Sequence, residues 1–346
     1  MGQAHQPAGG SREGGGAHGA GPMNRRPAPQ LLGAGLIVLA AASFGTLGPV
    51  SRYADQAGVS SLTLVTWRAG VGAICVLAFL ALRSMGGHRS SRPWSSLPVR
   101  DRWLVCAAAV TNAALNLGVF VAFLRIGIAL TLLIFYLYPA LVAVASVAWF
   151  GERLDRRRWT ALAVSLIGVL LVVAGAGPLN QLDLAGIGLA FMGALAQTFY
   201  ALAARHGFGA IPGPQAASIT MGGAALVYLA VALAIGRLAD VIQPLASFAA
   251  LWPVLLAGTV GAGLATVCFI TGIRLLGAPR ATILATLEPV VGVGLAALLF
   301  GEPPTALQVL GGALIVSAGV LLQFRRSEVV EHEALPEQDA AVDPAA

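Results

Sequence analysis

Lysine does not occur in this chain; all 21 basic residues are arginine. A G-x-x-x-x-G-K-[ST] phosphate loop therefore cannot be built, so this sequence carries no Walker-type nucleotide site of its own. Cysteine is nearly missing as well. Cys75, Cys106 and Cys268 each lie in an apolar run, at spacings that give neither a metal-ligand set nor a disulfide framework. None of the five histidines falls well inside an apolar run, which argues against a histidine-based metal or proton-relay site in a membrane. Charge is scarce: 10% of residues are charged against 57% hydrophobic, and the mean hydropathy is +0.81. That is too little charge to solvate a globule of 346 residues, so lipid must be the solvent. The exclusive use of arginine reads as GC-rich coding. The net charge of +6 is spread between apolar runs, so no nucleic-acid partner is expected.

What is present is a succession of apolar runs of roughly 18 to 24 residues, the length of a membrane-crossing helix. Ten are expected, near 31–50, 62–82, 103–124, 128–150, 157–176, 184–204, 215–236, 251–273, 280–300 and 306–324, numbered here as runs 1 to 10. They lack period-two alternation and are too long for barrel strands, so the fold class is all-α integral membrane. Residues 1–29, rich in Gly, Ala, Pro and His, read as a disordered tail, and 325–346 as an acidic one. Run 1 is long enough to span and has no convincing cleavage site, so no signal peptide is expected, and Met23 is a second candidate start. With both termini inside, cytoplasmic segments hold seventeen of the 21 arginines; Arg52, Arg125 and Arg237 lie outside and Arg68 lies within run 2. This bias predicts cytoplasmic termini in a bacterial inner membrane.

Gly127 to Glu152 and Gly277 to Glu302 are two copies of one stretch. Without a gap, Gly127 falls on Gly277, Pro139 on Pro289, and Phe150-Gly151-Glu152 on Phe300-Gly301-Glu302. The chain thus divides into repeats at 30–176 and 183–324, with five runs each. Five is odd, so the second copy enters the membrane from the opposite side. Inverted repeats are a device of secondary transporters, whose two access states exchange the conformations of the halves.

The ten runs, the mid-helix prolines followed by Phe-Gly-Glu, Glu288-Pro289-Val290, and Arg68 within Thr66-Trp67-Arg68-Ala69-Gly70 together resemble the EamA-type transporters of the drug/metabolite transporter superfamily. The resemblance spans about residues 31 to 324. It implies an exporter or exchanger of a small organic metabolite, such as an amino acid or drug-like compound, working by alternating access with protons as a candidate coupling ion. It implies no cofactor and no enzymatic activity, and a cavity lined by runs 1, 3, 4, 6, 8 and 9. A membrane-embedded enzyme and a non-transporting scaffold or sensor are the rival readings. The first would need a catalytic cluster of His, Asp or Glu inside the spans; the second leaves the repeat unexplained. Oligomeric state is not legible in the sequence.

The candidate residues each carry two readings. Glu288, roughly 13 Å deep near the midplane, either couples transport to protons or a cationic substrate group, or is a protonated packing residue. Its counterpart in the first copy is Tyr138. Asn112 and Asn116 share one helix face, offering amides to a substrate or to a neighbouring helix. Thr131, Phe135 and Tyr138 form a stripe on run 4, and Tyr136 is expected to face away, since residues two apart on a helix differ by about 200°. On run 6, Gln197 and Tyr200 are weaker candidates. Arg68 has a side chain long enough to snorkel to the outer interface, a reading ranked ahead of substrate binding or balancing Glu288. Pro139 and Pro289 are hinges or static bends. Glu152 and Glu302 at run ends, and the pairs Gly118/Ala122 and Gly258/Ala262, read as structural.

Overall fold

The computed structural model describes residues 27–86, 91–150, 156–175, 183–206, 211–276, 281, 284, 285 and 287–333. Among them there is helix and no strand, as a chain that must satisfy every backbone amide without water requires. Six helices are long and apolar enough to cross a membrane: Gln30–Gln56, Ser61–Met85, Val99–Ile126, Leu184–Ala203, Gly213–Ala234 and Phe248–Leu276. They coincide with runs 1, 2, 3, 6, 7 and 8. Four shorter apolar helices, Ile128–Val142, Trp159–Val172, Leu287–Phe300 and Ala306–Ala318, occupy runs 4, 5, 9 and 10. Large apolar side chains such as Leu82, Leu170, Leu226 and Leu298 stand exposed on the outside of the bundle, a surface suited to lipid tails.

Local chemistry sets the helix limits. Ser60 and Ser247 cap the N-terminal ends of the helices of runs 2 and 8 by accepting from the amides of Thr63 and Ala250. Asp183 does the same for run 6, accepting from the amides of Ala185 and Gly186 at 3.1 Å. Its carboxylate also takes a two-pronged bond from Arg125, with Nε at 2.6 Å and Nη2 at 3.1 Å. Run 4 is not one helix. Ile128–Phe135 ends in a turn at Tyr136 and Leu137, and Tyr138–Phe150 restarts with Pro139 in its first turn. Proline has no amide to donate and its ring collides with the carbonyl four residues earlier, so the ladder breaks there. Run 8 is wound wider in the middle: Thr259–Leu264 is a π-helical stretch between α-helices Phe248–Gly258 and Ala265–Leu276. Run 10 continues as the helix Ala306–Glu333, past the limit at 324 expected from hydropathy, because nothing at Phe324 to Arg326 breaks a helix. The N-terminal tail to residue 26, the tail after 333, Glu152 and most of 277–286 lie outside the described residues.

The dominant packing joins opposite halves. Run 5 lies on run 10, run 3 on run 6, run 1 on run 8, and run 2 on run 7, each pair more extensive than the contact between runs 2 and 3 of the same half. Glycines allow several of these approaches. A Cβ on Gly168 would lie 2.7 Å from the carbonyl oxygen of Gly311, so runs 5 and 10 meet backbone to backbone. Gly258 faces Val71 and the Trp67 carbonyl of run 2, and Gly118 the Leu189 carbonyl of run 6, as their small size predicts.

Candidate substrate cavity

Between the halves lies a cavity of about 560 Å³. Runs 1, 3, 4, 6, 8 and 9 line it, and so do runs 2 and 7, through Arg68, Ala69 and the stretch from Ile211 to Met221. Runs 5 and 10 contribute nothing to the wall among the described residues. In the orientation that the arginine bias gives, the cavity runs from Phe123 and Leu132 in the outer third to Ile211 and Gly213 at the inner end. Its outer side is packed shut. A Cβ on Gly48 would lie 2.6 Å from Ile128, and one on Gly45 2.8 Å from Val291, so runs 1, 4 and 9 close on each other there. Beyond them Arg52 Nη2 donates to Glu302 Oε1 at 2.7 Å, joining run 1 to the end of run 9. Arg52, Glu302, Arg125 and Asp183 surround a second, outer cavity of about 410 Å³.

Glu288, Tyr138, Asn112, Asn116, Gln197, Tyr200 and Arg68 all line the central cavity. Thr131 does not. It is fully buried, and its hydroxyl donates to the Gly127 carbonyl at 2.7 Å, one turn back on its own helix. Tyr136 corrects the helical-wheel expectation: the turn at 136–137 removes the 200° offset, and both Tyr136 and Tyr138 line the cavity. Their rings are 5.9 Å apart, and Phe135 packs on both. The Glu288 carboxyl group interacts electrostatically with Tyr136, Tyr138 and Arg68. Tyr136 is thus the site residue that periodicity missed; Pro139, three residues on, was the signal that the helix would break.

Arg68 does not snorkel outward. Its Nη1 donates to Asn116 Oδ1 at 2.6 Å, and the guanidinium stands over the Phe120 ring, 5.7 Å from its centre. Asn116 is itself fixed, its Nδ2 donating to the carbonyl and the Oδ1 of Asn112 at 2.8 and 2.9 Å. The two amides that share a helix face therefore hold the arginine into the cavity. Pro289 sits in the first turn of Leu287–Phe300, directly after Glu288. No set of three or more His, Cys, Asp or Glu side chains able to hold a metal occurs among the described residues.

The model of the EamA-like transporter family matches residues 31–174 and again 184–324. The chain belongs to the EamA-like transporter family. The model matches twice, so this member carries the family's unit in two copies. A relative from Archaeoglobus fulgidus, described as an uncharacterized transporter, is 28% identical over 293 residues, covering 85% of this chain and 96% of the relative. A solved crystal structure of a protein 18% identical in sequence has the same fold, with a TM-score of 0.55 over 87% of this chain and 98% of the other. The protein is an EamA-like membrane transporter with apolar helices suited to repeated crossing of the bilayer.

Proposed function

We propose that this EamA-like protein is a ten-span secondary carrier, built from two inverted five-helix halves, that exports or exchanges a small organic metabolite by alternating access. One observation carries the reading: a cavity of metabolite size lies between the halves and is lined by runs from both. The pairing of helices adds support. Exchanging the halves turns the contact of run 1 with run 8 into that of run 6 with run 3, and returns the pairs of runs 2 with 7 and 5 with 10 to themselves. Such self-consistency is what a pseudo-two-fold axis between inverted repeats requires. In this reading both termini are cytoplasmic in a bacterial inner membrane, and the cavity reaches the cytoplasmic end while the outer side is shut. Glu288 then stands as the candidate coupling group, since a carboxyl facing a cavity can exchange a proton with the water that fills it.

Counterflow into proteoliposomes against a panel of amino acids and drug-like amines, acids and neutral compounds tests the carrier. Movement of at least one solute is expected; no movement under any condition, with or without a pH gradient, sinks it. The same vesicles test the coupling. A Glu288→Gln variant should lose the response to the pH gradient while still exchanging solute at equal pH; full gradient-driven transport by that variant would remove Glu288 from the coupling role.

A further inference from the structure

The guanidinium of Arg68 is the one cation facing the central cavity among the described residues. It stays charged at any accessible pH, and an arginine taken out of bulk water needs a counter-charge or a full set of acceptors. This one has neither. Nη1 donates to Asn116, but Nε is buried with no hydrogen-bond partner, and no carboxylate among the described residues comes within 4.0 Å of the group as an ion pair. Glu288 lines the same cavity but forms no ion pair with Arg68 within 4.0 Å. The asparagine relay fixes the group: Asn112 holds Asn116, and Asn116 holds Nη1, so the end of the fork formed by Nη1 and Nη2, not the buried Nε, is the part of this cavity-lining residue left for a solute.

Resting on the carrier reading above, we propose that Arg68 is the anion-recognition residue of the cavity, so that the transported solutes are carboxylates. A planar carboxylate matches two parallel donors of a guanidinium fork and supplies the missing charge. The body of the solute is apolar, since Phe120 stands against the guanidinium and Phe44, Phe123, Phe135 and Phe269 line the same cavity. Asn116 and Asn112 are positioning residues. They keep its fork from swinging to the outer interface.

Three probes that share one phenylpropyl body and differ only in the polar end separate the possibilities: 3-phenylpropionate, 3-phenylpropanamide and 3-phenylpropylamine. Titrated calorimetrically into the full-length protein in lipid nanodiscs, the carboxylate should bind at least about tenfold more tightly than the amide or the amine, the scale of a charge-assisted bond in a low-dielectric site. Arg68→Gln should bring the carboxylate down to the affinity of the amide and leave the amide unchanged. Arg68→Lys, which keeps the charge and loses the fork, should retain part of the preference. A merely structural arginine would weaken all three probes together. Equal or tighter binding of the amide or amine by the wild type overturns the anion site, as does failure of all three to bind. The wild-type comparison needs no variant, so misfolding of Arg68→Gln would not leave the question open. Counterflow of the same probes keeps the two readings apart. Amine or amide movement without carboxylate preference overturns the anion site and leaves the carrier standing, whereas carboxylate binding without movement upholds the site and counts against the carrier.

Discussion

At the scale of single residues, environment decided roles that residue type left open. Glu288 and Arg68 were visible in the sequence because a charge inside an apolar run has few cheap explanations. What was not visible was the direction of Arg68. The length of its side chain favoured the interface, but an amide on a different run captures it, and a contact 48 residues away leaves no local trace. Thr131 shows the opposite error, since its place on a stripe with Tyr138 said nothing of the carbonyl it would find on its own helix. Thr131→Val, which keeps shape and removes the donor, should leave solute affinity unchanged and cost about 1 kcal/mol of stability, read as a lower melting temperature in nanodiscs. The Asp183 carboxyl makes a pH-dependent contribution outside the spans. Its bond from Arg125, then the amides of Gly186 and Ala185, hold it below the usual carboxylate range. A lowered value in the folded state means that the contribution is present above the ordinary aspartate range and is lost as pH falls through the folded value. Asp183→Asn should therefore lower the melting temperature at neutral pH, and the gap from the wild type should close on acidification.

At the scale of elements, hydropathy located the runs well and described their interiors poorly. Length and composition do not report a break at residues 136–137, a π-helical stretch at 259–264 or a helix that continues to Glu333. Each depends on local backbone geometry, on which a window average is silent. The repeat was more informative, because two of the glycines it singled out sit where other residues are strained. Gly127, between runs 3 and 4, has φ 79° and ψ 163°, and Gly301, between runs 9 and 10, has φ 64°. Side chains at such a φ cost about 1–3 kcal/mol. At Gly127 a Cβ would also stand 3.3 Å from Glu302 Oε2. Gly127→Ala should be destabilising by that order in thermal unfolding, and Gly188→Ala, where nothing lies within 4 Å of the added carbon, should not.

For the whole molecule, the class, the membrane setting and the pairing of two copies were legible, since they rest on composition and repetition. The cavity was legible only through the family resemblance, which named runs 1, 3, 4, 6, 8 and 9 but not runs 2 and 7, because no spacing within one run encodes where helices from both copies meet. In the proposed orientation, the closure of runs 1, 4 and 9 on the outer side leads to a further expectation. If the Arg52–Glu302 bond helps hold the outer ends of runs 1 and 9 together, Arg52→Gln should populate states open to the outside. In a background without Cys75, Cys106 and Cys268, a cysteine replacing Ala69 in the cavity wall should then react faster with a membrane-impermeant thiol reagent added outside; an unchanged rate would assign the bond to stability alone.

The helix pairing has one more consequence. Because runs 5 and 10, 3 and 6, 1 and 8, and 2 and 7 each join opposite halves, a half on its own leaves its packing surfaces uncovered. If the halves are inverted as proposed, they correspond to the subunits of an obligate antiparallel dimer that share one polypeptide. Severing the chain in the link at residues 176–182 should accordingly be tolerated: co-expressed fragments should assemble in the membrane and co-purify, whereas either fragment expressed alone should be degraded.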